Sequence, residues 1–419
     1  MEPFEVLDFI GRYTKSGRAV TDLSRFSELM RRLGDPQRRL RFVHVAGTNG
    51  KGSVVRMIAE TFRRAGYLTG EYVSPYIYRY NDRIKINGGE IPDRMLCDVA
   101  EKVIPIIKET GEAGYSQFEI TTAFAFTYFA MMKCDVVVLE TGLGGLLDCT
   151  NIIEDPLCSV ITSISYDHTA VLGTDITSIA HHKAGIIKRG CPCVMQAGNP
   201  PEAVREVTHK AHIENAELII PDETKIKNIV STISGNDFTY KGKKWHTAMA
   251  GRHQVYNAVT AVETLMLLSQ QYDITPGDIY EGIASAEVPS RCQIIRGKNP
   301  VIILDGAHNP DGITALAALL DGIRAEPRVL VCGMLESKDW KECARIISRC
   351  VDKVYCVDGF SSGAVFAPKL AECFENAEVS SLREAYYKAA VYAGDNGLVV
   401  ISGSLYLASA LQRYGNYGG

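Results

Sequence analysis

The chain has 419 residues, 46% of them hydrophobic and 22% charged, the composition of an ordinary globular protein. A single core rarely grows past about 250–300 residues, so two domains are expected. The 45 basic and 49 acidic residues leave a formal net charge of −4 with no Lys/Arg run, which argues against nucleic acid; no stretch approaches the roughly 18 apolar residues of a membrane span.

The start, MEPFEVLDFIGRYTKSG, has no basic stretch leading into a long apolar run and does not read as a secretory signal. The 12 cysteines are scattered, which fits reduced thiols in a cytoplasmic protein better than a disulfide framework. Cys191 and Cys193 stand close together in CPCVMQAG but lack the spacing of metal ligands.

Short apolar runs alternate with amphipathic stretches, the mark of βαβ units and a largely parallel sheet. RFVHVAG (41–47) reads as a buried strand that runs into a glycine-rich turn. In SVVRMIAETFRRAG, Val54, Ile58 and Phe62 recur four apart on one helical face, and Gly66 supplies a stop. CDVVVLETG (134–142) and CSVITSIS (158–165) read as further strands, and TDITSIAHHKAGIIKRG (174–190) as a helix entering a turn. Between about 217 and 250 the pieces become shorter and more polar, as in DFTYKGKKWHTAMAG, and suggest a β-rich appendage to the first domain. A helix follows from GRHQVYNAVTAVETLMLL, and turn residues in EVPSRCQIIRGKNP (287–300) mark a boundary. PVIILDGAHNP, RVLVCGM, KVYCVDG and GLVVISGSLYLAS then form a second α/β series. The expected architecture is α/β with two domains: a P-loop-type parallel-sheet ATPase domain over 1–295, carrying the appendage, and a smaller Rossmann-like domain over 296–419.

HVAGTNGKGS (44–53) sets a glycine-rich turn between a strand and a helix. Backbone N–H groups in such a turn, with the positive helix N-terminus, cradle phosphate oxygens, and Lys51 can reach the terminal phosphates. The run departs from G-x-x-x-x-G-K-[ST], since position 45 is Val and Gly52 separates Lys51 from Ser53. Glu140 closes the strand CDVVVLE, where an open α/β sheet presents catalytic groups, and Asp167-His168 follows another strand in the same way. Residue type alone leaves a solvated carboxylate as the lesser reading of Glu140, and favours a structural histidine at 168 and a surface helix residue at Lys183.

GTNGKGS resembles the nucleotide loop of the Mur-type ligases, and of the folylpolyglutamate synthase/dihydrofolate synthase family in particular. The resemblance recurs in order through VSPYIYRYNDRIKINGGEI (73–91), QFEITTAFAF (117–126), ETGLGGLLDCTN (140–151), SYDHTAVLG (165–173), IAHHKAGIIK (179–188), GRHQVYN (251–257), DGAHNPDG (305–312) and SGSLYLA (402–408). Ordered blocks over most of the chain are far more specific than one loop.

The resemblance implies an ATP-dependent ligase that activates a carboxylate as an acyl phosphate and joins it to glutamate, with ATP and Mg²⁺ as cofactors. It implies an ATP site of Thr48, Asn49, Gly50, Lys51, Gly52 and Ser53, with Asn257 near the adenine and Arg291 and Asp305 approaching from the second domain. Ser74 and Glu140 would hold one Mg²⁺ and His168 a second, although that ion prefers oxygen donors. Lys183 matches a lysine that is carbamylated in the family and faces the second metal, chemistry that needs a neutral amine. His308 would lie at the reaction centre and Ser404 near the incoming amino acid. The pterin-side contacts map onto Phe118, Glu119 and Asp148, with Arg83 retained in the same region and Asp22 and Leu23 matching less closely. A flat ring beside a carboxylate suits a pterin, which offers a π-face and several N–H donors.

Tyr76 stands where the family has His, Leu146 where it has Arg, Cys149 where it has Ala, and Ser290 where Gly is usual. The first three fall around the acceptor pocket, so a shifted acceptor preference is expected. Two other readings stand beside this one: a Mur-type ligase acting on another precursor or amino-acid polymer, against which FEITT and LLDCTN speak, and a nucleotide-binding regulator without catalysis, against which Lys51, Glu140, His168 and Lys183 speak. The expected partners are small molecules, glutamate with dihydropteroate or a reduced folate, met by a cytoplasmic monomer.

Overall fold

The computed structural model describes residues 1–13, 22–111, 114–297 and 299–413. They form two compact units, Met1–Glu223 with Tyr256–Ala286, and Thr224–Val255 with Glu287–Gly419.

The first unit is built on an eight-stranded sheet. Its strands are β1 (Phe42–Ala46), β2 (Thr69–Tyr72), β3 (Ile84–Ile86), β4 (Gly89–Glu90), β5 (Val136–Glu140), β6 (Cys158–Ile161), β7 (Cys193–Met195) and β8 (Leu218–Ile219). The order is β4-β3-β2-β5-β1-β6-β7-β8, parallel from β2 to β8 and antiparallel where β3 and β4 fold back at one edge. Every residue of β1 and β5 is buried, as continuous apolar runs in a parallel sheet covered on both faces require. Val137 and Leu139 face a core shared with the helices Asp93–Glu109 and Gln117–Met132, to which Phe124, Phe126 and Phe129 contribute. Each such ring stabilises the fold by about 1.5–3 kcal/mol relative to exposure.

The chain order has one consequence for chemistry. β1 lies between β5 and β6, so the segments that follow these three strands emerge side by side at one sheet edge. The helix after β1, Lys51–Arg64, starts directly at Gly50, buries Val54, Ile58 and Phe62, and stops just before Gly66, whose φ is +91°.

The second unit contains an antiparallel sheet of β9 (Ile226–Thr232), β10 (Gly235–Tyr240) and β11 (Lys243–Thr247). It also holds a six-stranded sheet of β12 (Gln293–Gly297), β13 (Val301–Leu304), β14 (Arg328–Cys332), β15 (Lys353–Cys356), β16 (Ala377–Val379) and β17 (Leu398–Ser402). Its order is β12-β13-β17-β14-β15-β16, parallel except for β12. The β-rich stretch that the sequence attached to the first domain is placed differently. Only β8 joins the first sheet, while β9 to β11 belong to the second unit, where Ile233 and Ala250 join a core with Ile303, Leu330 and Val400. Likewise β12, which the sequence boundary at 295/296 would cut, is whole within the second unit. Among the described residues no helix is long and apolar enough to cross a membrane.

Within the first unit the helix Pro276–Ser285 lies on Lys51–Arg64 through Gly282, where a Cβ would stand 2.7 Å from the Thr61 Cα. Thr61 cannot yield by turning, because the clash is with backbone. Gly282→Val should therefore lower stability by about 1–3 kcal/mol, read as a shift of the denaturation midpoint. An unchanged midpoint would mean that the two helices separate freely.

Candidate functional site

The segment after β1 is held from below by the segment after β6. Thr48 N–H donates to the Ser163 carbonyl at 2.6 Å, and the Thr48 hydroxyl donates to the Ser165 carbonyl and accepts from its N–H, each at 3.0 Å. Thr162 Oγ1 donates to the Asn49 carbonyl at 2.7 Å. A Cβ on Gly47 would meet Thr162 Oγ1 at 1.8 Å, so this loop can lie on β6 only with glycine there. Gly50 has φ +86°, and a Cβ there would meet Asn257 Oδ1 at 2.3 Å. The structure thus brings the sequence-predicted Asn257 against the loop itself, while Gly52 and the buried Ser53 open the helix.

Three predicted charged residues gather at this loop. Lys51 Nζ donates to the carbonyls of Gly47 and Thr48, each at 3.1 Å, and lies 3.8 Å from Glu140 Oε1. Lys183, buried in the helix Ile176–Ala184, donates to the same Gly47 carbonyl at 2.7 Å. Glu140, at the end of β5, accepts the Ser74 N–H at 3.2 Å through Oε2. His168 is placed differently: it sits at φ +51° before the short helix Thr169–Leu172, 45% exposed, with Nε2 3.8 Å from Asp167 Oδ2.

Among the described residues no group of three or more His, Cys, Asp and Glu side chains forms a metal cage. Glu140 and Ser74 are nevertheless hard oxygen donors, and Mg²⁺ is commonly held by one or two protein oxygens with water and phosphate completing its shell. They fit that ion. His168 and an unmodified Lys183 fit it poorly, since neither brings an oxygen.

The predicted acceptor residues divide into two kinds. Phe118 lies 5.9 Å from the Tyr72 ring, and a Cβ on Gly142 would strike it at 2.5 Å, so the glycine makes room for the ring. Asp148 and Glu119, by contrast, are occupied by the protein. Asp148 Oδ2 accepts the N–H groups of Gly142 and Leu143, and Oδ1 accepts the N–H and hydroxyl of Thr150, all within 3.0 Å. Burial pushes its carboxyl above the usual range, against those four bonds, which favour the charged form. Glu119 closes a capping box with Ser116 at the start of Gln117–Met132 and pairs with Arg25 at 3.1 Å. Asp22 accepts from the Ser24 N–H and hydroxyl beside the helix Ser24–Arg32. Arg83 is buried against the rings of Tyr76 and Tyr80. Leu146 packs on Gly185, where a Cβ would meet it at 2.5 Å, and its N–H donates to the His182 carbonyl.

The remaining predicted residues lie in the second unit. Asp305 follows β13 and accepts the Cys292 N–H at 2.9 Å, its thiol at 3.3 Å and the Ala307 N–H at 2.8 Å. This holds the Cys292 side of Arg291, the Gly306 N–H donates to the Ser290 carbonyl on the other at 2.8 Å, and Ser290 and Cys292 have φ of +57° and +49°. Ser290 therefore occupies a conformation that suits glycine. His308 shares a hydrogen bond of 2.8 Å between Nδ1 and the Gly306 carbonyl, which assigns the proton to Nδ1. Ser404 is buried, its hydroxyl accepting the Tyr406 N–H at 3.1 Å. Sequence reasoning did not single out His253, whose imidazole burial holds below its ordinary value against the pull of Asp305.

The chain matches two family profiles: that of the Mur ligase middle domain over residues 45–265, and that of the Mur ligase glutamate ligase domain over 290–405. It is 34% identical to the folylpolyglutamate synthase of Lacticaseibacillus casei, covering 96% of this chain and 95% of that protein. It is 34% identical to the dihydrofolate synthase/folylpolyglutamate synthase of Bacillus subtilis, covering 93% and 94%. Its fold superposes on the E. coli FolC structure in complex with DHPP and ADP with a TM-score of 0.88 at 29% identity, covering 99% and 97% of the two chains. On the Mycobacterium tuberculosis folylpolyglutamate synthase complexed with ADP the TM-score is 0.91 at 27% identity, covering 98% of each.

Sequence reasoning also passed over the support beneath Asp148. The Thr150 hydroxyl donates to Asp148, so it accepts from Nε2–H of His44 on β1, at 2.9 Å. Nδ1 of His44 is buried with no partner, and burial depresses this imidazole to about 3, with Lys188 adding to the effect. The unfolded chain binds a proton near 6.5 that the folded chain refuses until about 3. Stability from this residue is therefore full above pH 6.5 and falls as pH drops toward 3, by about 1.4 kcal/mol per unit. Between pH 7 and 5 the unmodified chain should lose about 2 kcal/mol more than His44→Gln, measured by urea unfolding at each pH. Equal slopes would mean that His44 is charged in the folded state.

Proposed function

This chain belongs to the folylpolyglutamate synthase/dihydrofolate synthase family of Mur ligases, and from that premise we propose how its residues join glutamate to a folate-type carboxylate at the expense of ATP. The observation that carries the reading is the meeting of Lys51, Lys183 and Glu140 at the Gly47 loop.

The loop amides from Thr48 to Ser53, at the N-terminus of Lys51–Arg64, take the phosphates of ATP, and Lys51 exchanges its loop carbonyls for phosphate oxygens. Asn257, against Gly50, lies on the nucleotide side of the first unit, and Arg291 and Asp305 are the second unit's candidates for nucleotide contact. Glu140 and Ser74 would hold one Mg²⁺, which when bound supplies neutralisation of phosphate charge. Lys183 as a carbamate would add two oxygens at the loop and keep an N–H for the Gly47 carbonyl.

The substrate, oriented by Phe118 and Arg83 over a floor organised by Asp148 and Glu119, attacks the γ-phosphorus through its reacting carboxylate. ADP leaves and an acyl phosphate forms. The amine of glutamate attacks the acyl carbon, inorganic phosphate departs with the bonding pair, and the amine proton is lost to a base. His308, its proton on Nδ1, presents Nε2 as an acceptor for that task, and Ser404 lies on the amino-acid side. Most of the barrier reduction comes from positioning and charge, since no protein nucleophile is needed. The reading carries with it a monomer in the cytoplasm that meets its substrates as dissolved small molecules.

Phosphate release should require glutamate and a pteroyl substrate together. Lys51→Ala and Glu140→Ala should each lower it by at least about 10²-fold while the chain remains folded by circular dichroism. Near-normal turnover in either variant would remove that residue from the reaction. Lys183→Ala should be inactive and partly rescued by small carboxylates that replace the lost anion. No rescue, with a bare Lys183 amine in a crystal of the active nucleotide complex, would count against the carbamate.

A further inference from the structure

Arg83 is only 8% exposed, and its Nε is buried without a hydrogen-bond partner. Among the described residues no carboxylate lies within ion-pair distance of its guanidinium. The adjacent Asp82 does not serve, because its oxygens accept the N–H groups of Ile77, Tyr78 and Arg79. A guanidinium stays charged at any accessible pH, and burying it unpaired is costly. Two rings offset part of that cost: the guanidinium carbon lies 5.1 Å from the centre of Tyr76 and 5.9 Å from that of Tyr80. Rings satisfy the faces of the ion. They leave its in-plane fork of N–H donors without an acceptor, the geometry that takes a carboxylate by two parallel hydrogen bonds.

The fork is tied to the site already described. The Arg83 carbonyl accepts the Val73 N–H at 3.0 Å, closing the segment 73–83 on itself, and Ser74 at its start donates to Glu140 at 3.2 Å. An anion on Arg83 therefore belongs to the loop that also touches the phosphate end. It is not among the Lys51, Lys183 and Glu140 contacts at Gly47.

Substrate chemistry decides which anion. A dihydropteroate carries one carboxylate, the one that must attack phosphorus. A glutamylated folate carries two: the γ-carboxylate that reacts and an α-carboxylate that does not. A guanidinium gripping both oxygens of a carboxylate withdraws their electron density and blocks attack, so the fork suits the spectator group. Resting on the ligase reading above, we propose that Arg83 binds the α-carboxylate of the terminal glutamyl residue and is thereby the residue that favours glutamylated folates over dihydropteroate. Tyr76 covers its exposed face and shields the pair from water.

The test compares kcat/KM of the unmodified chain for a reduced folate monoglutamate and for the same compound with its α-carboxylate converted to a primary amide. Losing a charge-assisted pair should cost the amide about 10- to 10²-fold. Arg83→Met should no longer distinguish acid from amide, and its ratio of folyl-glutamate to dihydropteroate activity should fall by the same factor. Equal use of acid and amide by the unmodified chain would overturn the proposal, without any variant needing to fold. So would an Arg83→Met chain that still prefers the acid. An unmodified chain that releases no phosphate with either natural substrate would overturn the ligase reading itself, and the proposal with it.

Discussion

The carbonyl oxygen of Gly47 accepts hydrogen bonds from Lys51 Nζ at 3.1 Å and Lys183 Nζ at 2.7 Å, with Glu140 3.8 Å beyond Lys51. With Lys183 unmodified, two ammonium groups on one oxygen repel each other. At the effective dielectric of a partly buried site, unit charges about 4 Å apart interact by roughly 4 kcal/mol, so the Glu140 carboxylate 3.8 Å from Lys51 is of a size to offset such a repulsion. The carbonyl dipoles of Gly47 and Thr48 add to it by accepting from the lysines. The geometry of the cluster depends on glycine at 47, where any Cβ would displace Thr162 and lift the loop from β6. The strand order puts the carriers of these groups within reach, since β1 stands between β5 and β6.

The Gly47 loop and the helix after it were legible because their signals are local. A buried strand, three glycines, a lysine and an amphipathic helix lie within some two dozen residues, and each element forms where its pattern says. Glu140 was legible for a related reason: a carboxylate closing an apolar run has few places to go except the end of a parallel strand. The acceptor end was less so. Phe118 and Glu119 are neighbours in sequence, yet the ring faces Gly142 while the carboxylate turns back to cap its own helix. The Ser116-to-Glu119 spacing is a capping-box signal, and reading it would have shown one oxygen of Glu119 to be engaged. Its other partner, Arg25, is 94 residues away, and no local pattern announces it. The placement of β9 to β11 with the second unit has the same origin, since Ile233 and Ala250 look like any short polar-strand residues until the core they join is known.

The two ends of the site differ in what can change without loss. At the phosphate end the contacts are backbone carbonyls, buried charges and glycines under steric contact. Removing one partner there leaves a buried donor or acceptor unsatisfied, at a cost of about 1–3 kcal/mol and more for a charge. At Tyr76 and Leu146 the contacts are a ring face on Arg83 and packing on Gly185, unlike the hydrogen-bonded carboxylates of Asp148 and Glu119. Exchanging Leu146 for another apolar side chain alters area and shape but strands no polar group, whereas losing the Tyr76 ring uncovers the Arg83 guanidinium. The departures from the family pattern at Tyr76, Leu146 and Cys149 fall on this second kind of contact. Cys149 illustrates the tolerance: it is buried, and its thiol finds Thr122 at 3.3 Å, a hydroxyl already held by the Phe118 carbonyl. A chain built this way tolerates exchange at Leu146 and Cys149 more readily than change at the Gly47 loop, because the energetic penalties for change are distributed that unevenly between them.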